Sequence, residues 1–116
     1  MPRVLIVEDE PLIRELAVDE FTDAGWDVGA VASGDEALVR FERGETFDLV
    51  FTDIRMPGAV DGWELGHVAA GLCPWVKVIY ATGFTESTRP LTCNERFISK
   101  PYRTTEILRL VEDLGL

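Results

Sequence analysis

The sequence contains few cysteines, few basic residues and no long apolar run. Two cysteines are too few for a disulfide framework and match no metal-ligand spacing, so we expect Cys73 and Cys93 to be small buried or half-buried residues in a reducing compartment. Lysine and arginine number 11 against 21 acidic residues, and the net charge of −10 argues against direct binding of nucleic acid. Without a membrane-length apolar run or a signal-peptide pattern, a cytoplasmic protein is expected.

The length and the apolar content of the chain fit one domain with a single core. The chain has 116 residues, of which 47% are hydrophobic, and it contains no long linker and no internal repeat. We therefore expect one domain over residues 1–116.

Apolar segments with strand character alternate with segments of helical periodicity. The strand segments are 3–7, 26–32, 49–51, 76–81 and 96–99, with Asp53 at the carboxyl end of the third. The first helix is predicted over 11–24, with the residues at helical spacing being Leu12, Ile13, Leu16, Ala17, Glu20, Phe21 and Ala24. The second helix is predicted between a Ser33 cap and Gly44.

The second half of the chain continues the alternation less regularly. A third helix is predicted to start at 61–65, with core spacing at Leu65, Val68, Ala69 and Leu72. Between the last two strands Pro90 interrupts the pattern, which predicts a short or irregular fourth helix within 85–94. The last helix is predicted to be capped by Thr104 or Thr105.

Five strand–helix units of this length predict an α/β fold. Right-handed crossovers between parallel strands give a sheet with helices on both faces. The pattern matches a flavodoxin-like (βα)5 three-layer sandwich with strand order 2-1-3-4-5. The weak second strand fits a place at the edge of the sheet.

This topology predicts that polar residues from four strand ends meet at one edge of the sheet. They are Glu8, Asp9, Asp53, Thr82 and Lys100. Crowded carboxylates repel each other, and a hard divalent cation with oxygen ligands relieves that repulsion. We therefore predict a Mg²⁺ site formed by Asp9 and Asp53, by Glu8 directly or through water, and by the backbone carbonyl of Arg55.

Such a site is suited to a phosphoryl group. A carboxylate oxygen of Asp53 can attack phosphorus in line and form an aspartyl phosphate. The transferred group then has one oxygen beside the cation, one beside the Lys100 ammonium and one beside the Thr82 hydroxyl.

Taken together, these residues resemble the response-regulator receiver domains of two-component signalling, over essentially the whole chain. The matching features are Glu8-Asp9, Asp53 before Met56-Pro57-Gly58, Asp61-Gly62, Thr82 and Lys100-Pro101. The resemblance implies that Asp53 is the phosphoacceptor, that Thr82 and Lys100 contact the phosphate, that Thr82 and Phe97 form the conformational switch, and that the Lys100-Pro101 peptide is cis.

The resemblance also implies a signalling role with protein partners. The phosphoryl donor would be a histidine kinase, a phosphotransfer protein or a small acyl phosphate. Phosphorylation would shift a partner-binding face recognised by a downstream effector protein or a fused output domain. The domain would catalyse its own modification and would not turn over a free substrate.

Three other functions fit this sequence less well. A Mg²⁺ phosphohydrolase commonly needs a second carboxylate two residues after the nucleophile, where this chain has Arg55. A flavin-mononucleotide binder needs hydroxyls and glycines after the first strand, where this chain has Glu8-Asp9-Glu10. A binding-only module would shift state without phosphate and would have no use for an intact phosphoacceptor site.

Overall fold

The apolar segments of the sequence form one parallel sheet with helices on both faces. The computed structural model describes residues 2–56, 58–83 and 91–116. Its strands are β1 (Arg3–Val7), β2 (Asp27–Val31), β3 (Leu49–Asp53), β4 (Lys77–Thr82) and β5 (Glu95–Ser99). Within those ranges its helices are α1 (Pro11–Asp23), α2 (Gly34–Glu42), α3 (Gly62–Leu72) and α4 (Thr104–Asp113).

The order of the strands is β2-β1-β3-β4-β5, and every neighbouring pair is parallel. Both the α/β class and the predicted order are therefore confirmed. β3 lies at the centre and all five of its residues are buried, whereas β2 is a partly exposed edge strand. This difference follows from the sequences, since β3 is apolar on both faces and β2 is not.

Alternate residues of each strand pack against opposite helical layers. In β1, Val4 and Ile6 belong to a cluster that includes Phe21 of α1 and Ile107 of α4. Leu5 and Val7 belong to a second cluster, to which Ala37 and Phe41 of α2 and Leu65 and Ala69 of α3 contribute. These two clusters make the three-layer sandwich, and they hold the strand ends at fixed positions.

Three leucines are more exposed than the sequence predicted. Leu12 and Leu16 of α1 are 74% and 66% exposed, and Leu72 of α3 is 51% exposed. The buried residues of α1 are Ala17 and Phe21, one helical turn apart, so the stripe that faces the sheet is narrower than the apolar pattern suggested. Cys73 is buried as expected, but Cys93 is exposed because it lies in the segment that precedes β5.

The remaining helix predictions differ in detail from the structure. The N-cap of α4 is Arg103, whose backbone N–H donates to Glu106 Oε1 at 3.1 Å, and not Thr104 or Thr105. Ser33 caps α2 as predicted, because its Oγ accepts from the Glu36 N–H. The fourth helix predicted within 85–94 falls mostly on residues 84–90, outside the described ranges. Among the described residues, no helix combines the length and apolar content that crossing a bilayer requires.

Candidate functional site

Five polar residues lie at or just after the carboxyl ends of four neighbouring strands. Asp53 and Thr82 are the last residues of β3 and β4. Glu8 and Asp9 follow β1, and Lys100 follows β5. Since β1, β3, β4 and β5 are adjacent in the sheet, their carboxyl ends share one edge. The strand ends are thus placed as the sequence predicted.

Lys100 joins two of the acidic residues. Its Nζ lies 2.6 Å from Asp53 Oδ1 and 3.1 Å from Glu8 Oε1. Glu8 and Asp53 are only 4% and 5% exposed, so both contacts are formed by nearly buried carboxylates. The backbone also contributes, because the Lys100 N–H donates to the Thr82 carbonyl at 2.7 Å. One ammonium therefore bridges the ends of β1 and β3 from a position fixed against β4.

Glu8, Asp9 and Asp53 form a compact acidic cluster. Each offers a carboxylate oxygen, and these oxygens lie within 4.8 Å of one another. Burial, followed by a hydrogen bond with Asp53, raises the pKa of Glu8 above its ordinary value of 4.5. Partial burial, followed by a hydrogen bond with Glu8, raises the pKa of Asp9.

These raised pKa values show that a full set of negative charges is unfavourable in this cluster. A metal ion would remove that cost, and carboxylate oxygens are the donors that hard divalent cations prefer. The cluster could therefore hold such an ion.

The same acids keep the Lys100 ammonium protonated. Burial alone lowers the pKa of its ammonium, but the hydrogen bonds and charges of Asp53 and Glu8 outweigh that effect and raise the pKa above 10.5. Tyr102 lies close by with its ring packed edge-on against Phe51, 5.4 Å between centroids. Burial and the nearby Glu8 charge raise the pKa of Tyr102 to about 12. Lys100 is thus charged and Tyr102 neutral at neutral pH.

The other predicted site residues lie around this cluster. Thr82 is 5% exposed and pairs with Ser99 across β4 and β5. Phe97 pairs with Tyr80, is half-buried and packs against the core cluster on the α2 and α3 side. The side chain of Arg55 is exposed, in the loop that follows Asp53. The Lys100-Pro101 peptide is cis, as the resemblance implied.

Two residues beside the site were not singled out from the sequence. One is Tyr102, directly after Lys100-Pro101. The other is Arg14, whose Nη1 donates to the backbone carbonyl oxygen of Glu8 at 2.9 Å. A signal for Arg14 exists in the sequence, because a cation in the fourth position of a helix is opposed by the helix dipole and therefore suggests a specific acceptor.

Comparison with known proteins places the chain among signalling domains. The model of the family described as "Response regulator receiver domain" matches residues 4–112. The chain is 31% identical over 120 residues to the "Response regulator receiver protein CpdR" of Brucella abortus (strain 2308). That alignment covers 98% of this chain and 97% of the relative.

Solved structures agree with this assignment. A response regulator receiver protein from Sinorhizobium medicae WSM419 superposes with a TM-score of 0.88 at 28% identity, covering 97% of this chain and 93% of that one. A chain in the crystal structure of the histidine kinase ThkA in complex with the response regulator protein TrrA has a TM-score of 0.81 and 31% identity. Coverage there is 98% of both chains.

Proposed function

Because this chain belongs to the family of response regulator receiver domains, a signalling module and not a classical enzyme, we propose that residues 1–116 form one phosphoacceptor domain of a two-component pathway. In this proposal Asp53 receives a phosphoryl group from a phosphohistidine, or from a small acyl phosphate. The product is an aspartyl phosphate that alters a partner-binding face.

One observation carries the proposal. Asp53 is nearly buried at the end of the central strand, with the Lys100 ammonium 2.6 Å from one of its oxygens and two further carboxylates beside it. A purely structural aspartate at a strand end has no need of two additional acids. A carboxylate that attacks phosphorus needs a cation beside the phosphoryl oxygens. This arrangement can provide two, the Lys100 ammonium and a metal ion held by the acidic cluster.

The transfer step follows from ordinary phosphoryl chemistry. A carboxylate oxygen of Asp53 forms a bond to phosphorus while the bond to the histidine nitrogen breaks, and the imidazole takes the electron pair. Lys100 stays charged throughout, because its pKa is raised, and it holds one oxygen of the transferred group. Thr82 holds another through its hydroxyl.

Mg²⁺ fits the donor set of this site. Asp9 and Asp53 would bind it, with Glu8 binding directly or through water and the backbone carbonyl of Arg55 adding a further oxygen. The ion supplies charge neutralisation of the phosphoryl oxygens. The raised pKa values of Glu8 and Asp9 support this role, since they indicate a deficit of positive charge in the cluster.

The proposed switch couples Thr82 to Phe97. Thr82 moves toward the phosphate, and Phe97 follows by turning further inward. Phe97 is half-buried and lacks a hydroxyl, so its two states differ mainly in buried apolar area.

Protein partners follow from the family. One structurally similar protein is recorded in a complex of a histidine kinase with a response regulator, which supports a histidine kinase or phosphotransfer protein as donor. The recipient of the signal would be a downstream effector protein or an output domain in the same polypeptide. The net charge of −10 makes direct nucleic-acid binding by this domain unfavourable.

Substitution of Asp53 tests the proposal. We expect Asp53→Asn to reduce acid-labile phosphorylation by a small acyl-phosphate donor, with Mg²⁺ present, to background, because the amide is not a nucleophile. Intact-mass measurement of the phosphoryl adduct gives the readout. Asp23→Asn, an exposed residue at the end of α1, is the matched control and should be labelled like the unmodified chain. Full labelling of Asp53→Asn would refute the assignment.

A further inference from the structure

Arg14 makes a contact that belongs to none of the roles described so far. It lies in α1, is half-buried, and reaches back six residues to donate from Nη1 to the carbonyl oxygen of Glu8 at 2.9 Å. That carbonyl belongs to the peptide group that joins Glu8 to Asp9. Because both neighbours of this peptide are members of the acidic cluster, its orientation helps to set where both carboxylates point.

Other bonds fix the rest of this turn. The Glu8 N–H donates to the Val31 carbonyl at 3.1 Å, and the Glu10 N–H donates to Glu8 Oε2 at 3.1 Å. These bonds hold the peptide before Glu8 and the Glu8 carboxylate. The Arg14 bond acts on the peptide that follows Glu8. The turn from β1 to α1 is therefore held on both sides of Glu8.

The position of Arg14 is unfavourable for helix stability by itself. It is the fourth residue of α1, close to the positive end of the helix dipole, where acidic side chains are preferred. The N-cap residue Glu10 makes no side-chain capping bond, and the first turn contains no acidic residue. The guanidinium is therefore better explained by its acceptor than by any contribution to the helix.

We propose that Arg14 is a positioning residue for the metal site, which orients Glu8 and Asp9 by holding the peptide between them. The proposal rests on the function proposed above, in which this cluster binds Mg²⁺. Residues that orient metal ligands through hydrogen bonds commonly affect metal affinity although they do not touch the metal.

The positive charge of Arg14 and its positioning role predict opposite changes in Mg²⁺ affinity when Arg14 is replaced. A guanidinium near the cluster repels a divalent cation, so charge alone predicts that its removal tightens Mg²⁺ binding. Loss of positioning predicts the opposite, because the carboxylates must then be ordered when the ion binds. The direction of the change in Kd therefore separates the two explanations.

The test compares Arg14→Met with Arg43→Met on the full chain. Arg43 is exposed at the end of α2, so its substitution makes the same charge change away from the β1–α1 turn. Calorimetric titration with MgCl₂ should show Kd raised about 3- to 10-fold in Arg14→Met, the scale of one lost hydrogen bond. Arg43→Met should stay within about twofold of the unmodified chain.

Phosphorylation kinetics provide a second readout. With a small acyl-phosphate donor, Arg14→Met should need more MgCl₂ to reach half its maximal rate, yet reach the rate of the unmodified chain when MgCl₂ is saturating. Arg14→Lys, which keeps the charge but not the geometry, should lie nearer to Arg14→Met than to the unmodified chain, and it replaces Arg14→Met if that variant unfolds.

Several results would overturn the positioning role. Tighter Mg²⁺ binding by Arg14→Met would assign Arg14 a purely electrostatic effect, and a lowered midpoint of thermal unfolding with unchanged Kd would assign it a purely structural one. Failure of the unmodified chain to bind MgCl₂ would instead refute the proposed function on which the inference rests.

Discussion

At the scale of single residues, the fold holds the carboxyl groups of Glu8 and Asp9 where their negative charges are unfavourable. Their pKa values are raised, so the folded protein binds more protons than the unfolded chain at pH values above the ordinary 4.5 and 3.8. The folded protein therefore loses stability as the pH rises through this window. The raised pKa of Lys100 gives a linkage of the same sign, but its contribution is lost only above about pH 10.5 and is constant near neutrality.

We predict from these shifts that Mg²⁺ stabilises the protein more at about pH 7 than at about pH 5, because protons compete with the ion for Glu8 and Asp9 at the lower pH. At ten times its Kd the ion should add about 1.4 kcal/mol to the free energy of unfolding. Thermal unfolding with and without MgCl₂ at both pH values measures the difference.

A matched variant isolates the source of that effect. Glu8→Gln removes one titrating ligand and should reduce the difference between the two pH values. Equal stabilisation of the unmodified chain at both pH values would contradict the assignment of these acids as ligands.

The sequence predicted which residues form the site, but it did not predict which of their side chains touch. Glu8, Asp9, Asp53 and Lys100 each end or follow a strand, a position visible in the sequence, and all four meet in the structure. The bridging of Glu8 and Asp53 by one ammonium was not predicted. Side-chain distances of this kind depend on how far neighbouring strands extend relative to each other.

At the scale of secondary-structure elements, α3 packs closely against β4 at one glycine. A Cβ at Gly66 would lie 1.9 Å from Tyr80 Oη, so no side chain fits there without movement. The Tyr80 hydroxyl donates to Glu95 Oε2 at 2.7 Å, and the Tyr80 ring packs 4.3 Å from that of Trp63. This network joins α3, β4 and β5 beneath the site.

We expect Gly66→Ala to lower the free energy of unfolding by about 1 to 3 kcal/mol, because the added methyl group displaces the buried Tyr80 hydroxyl. Gly71→Ala lies in the same helix with nothing within 4 Å of its Cβ, and it should raise the free energy of unfolding by up to about 1 kcal/mol. Urea denaturation of the two variants checks both signs. An increase of similar size in both variants would show that helix propensity, and not the Tyr80 contact, decides the outcome.

The elements themselves were largely predictable, and the exceptions have physical causes. Apolar runs and cap residues placed β1, β3 and α2 because these signals are local. The apolar stripe of α1 overstated its buried face, since Leu12 and Leu16 are spaced like core residues but lie beyond the part of the helix that contacts the sheet. Where a helix contacts a sheet depends on the packing of both elements.

At the scale of the whole molecule, the net charge of −10 makes the folded state self-repelling. The acidic cluster adds a local repulsion between its own carboxylates to this general repulsion. Dissolved salt screens the general repulsion, whereas a bound divalent ion acts on the cluster alone.

Two salts should therefore behave differently. Raising NaCl from about 0.05 to about 0.5 M should raise the midpoint of thermal unfolding similarly in the unmodified chain and in Asp53→Asn, because screening does not depend on the site. MgCl₂ at matched ionic strength should stabilise the unmodified chain further, and Asp53→Asn less. Identical effects of the two salts on both proteins would mean that no specific cation site exists.

The sequence by itself determined the alternation of strands and helices and the residues at the strand ends, because local periodicity specifies them. The handedness of crossovers limits the possible topologies, and the match to a flavodoxin-like pattern then predicted the strand order 2-1-3-4-5. Only the tertiary structure decided which side chains touch. Lys100 between Glu8 and Asp53 and Tyr80 under Gly66 join parts of the chain that are distant in sequence. Such contacts depend on the packing of whole elements, which no local pattern records.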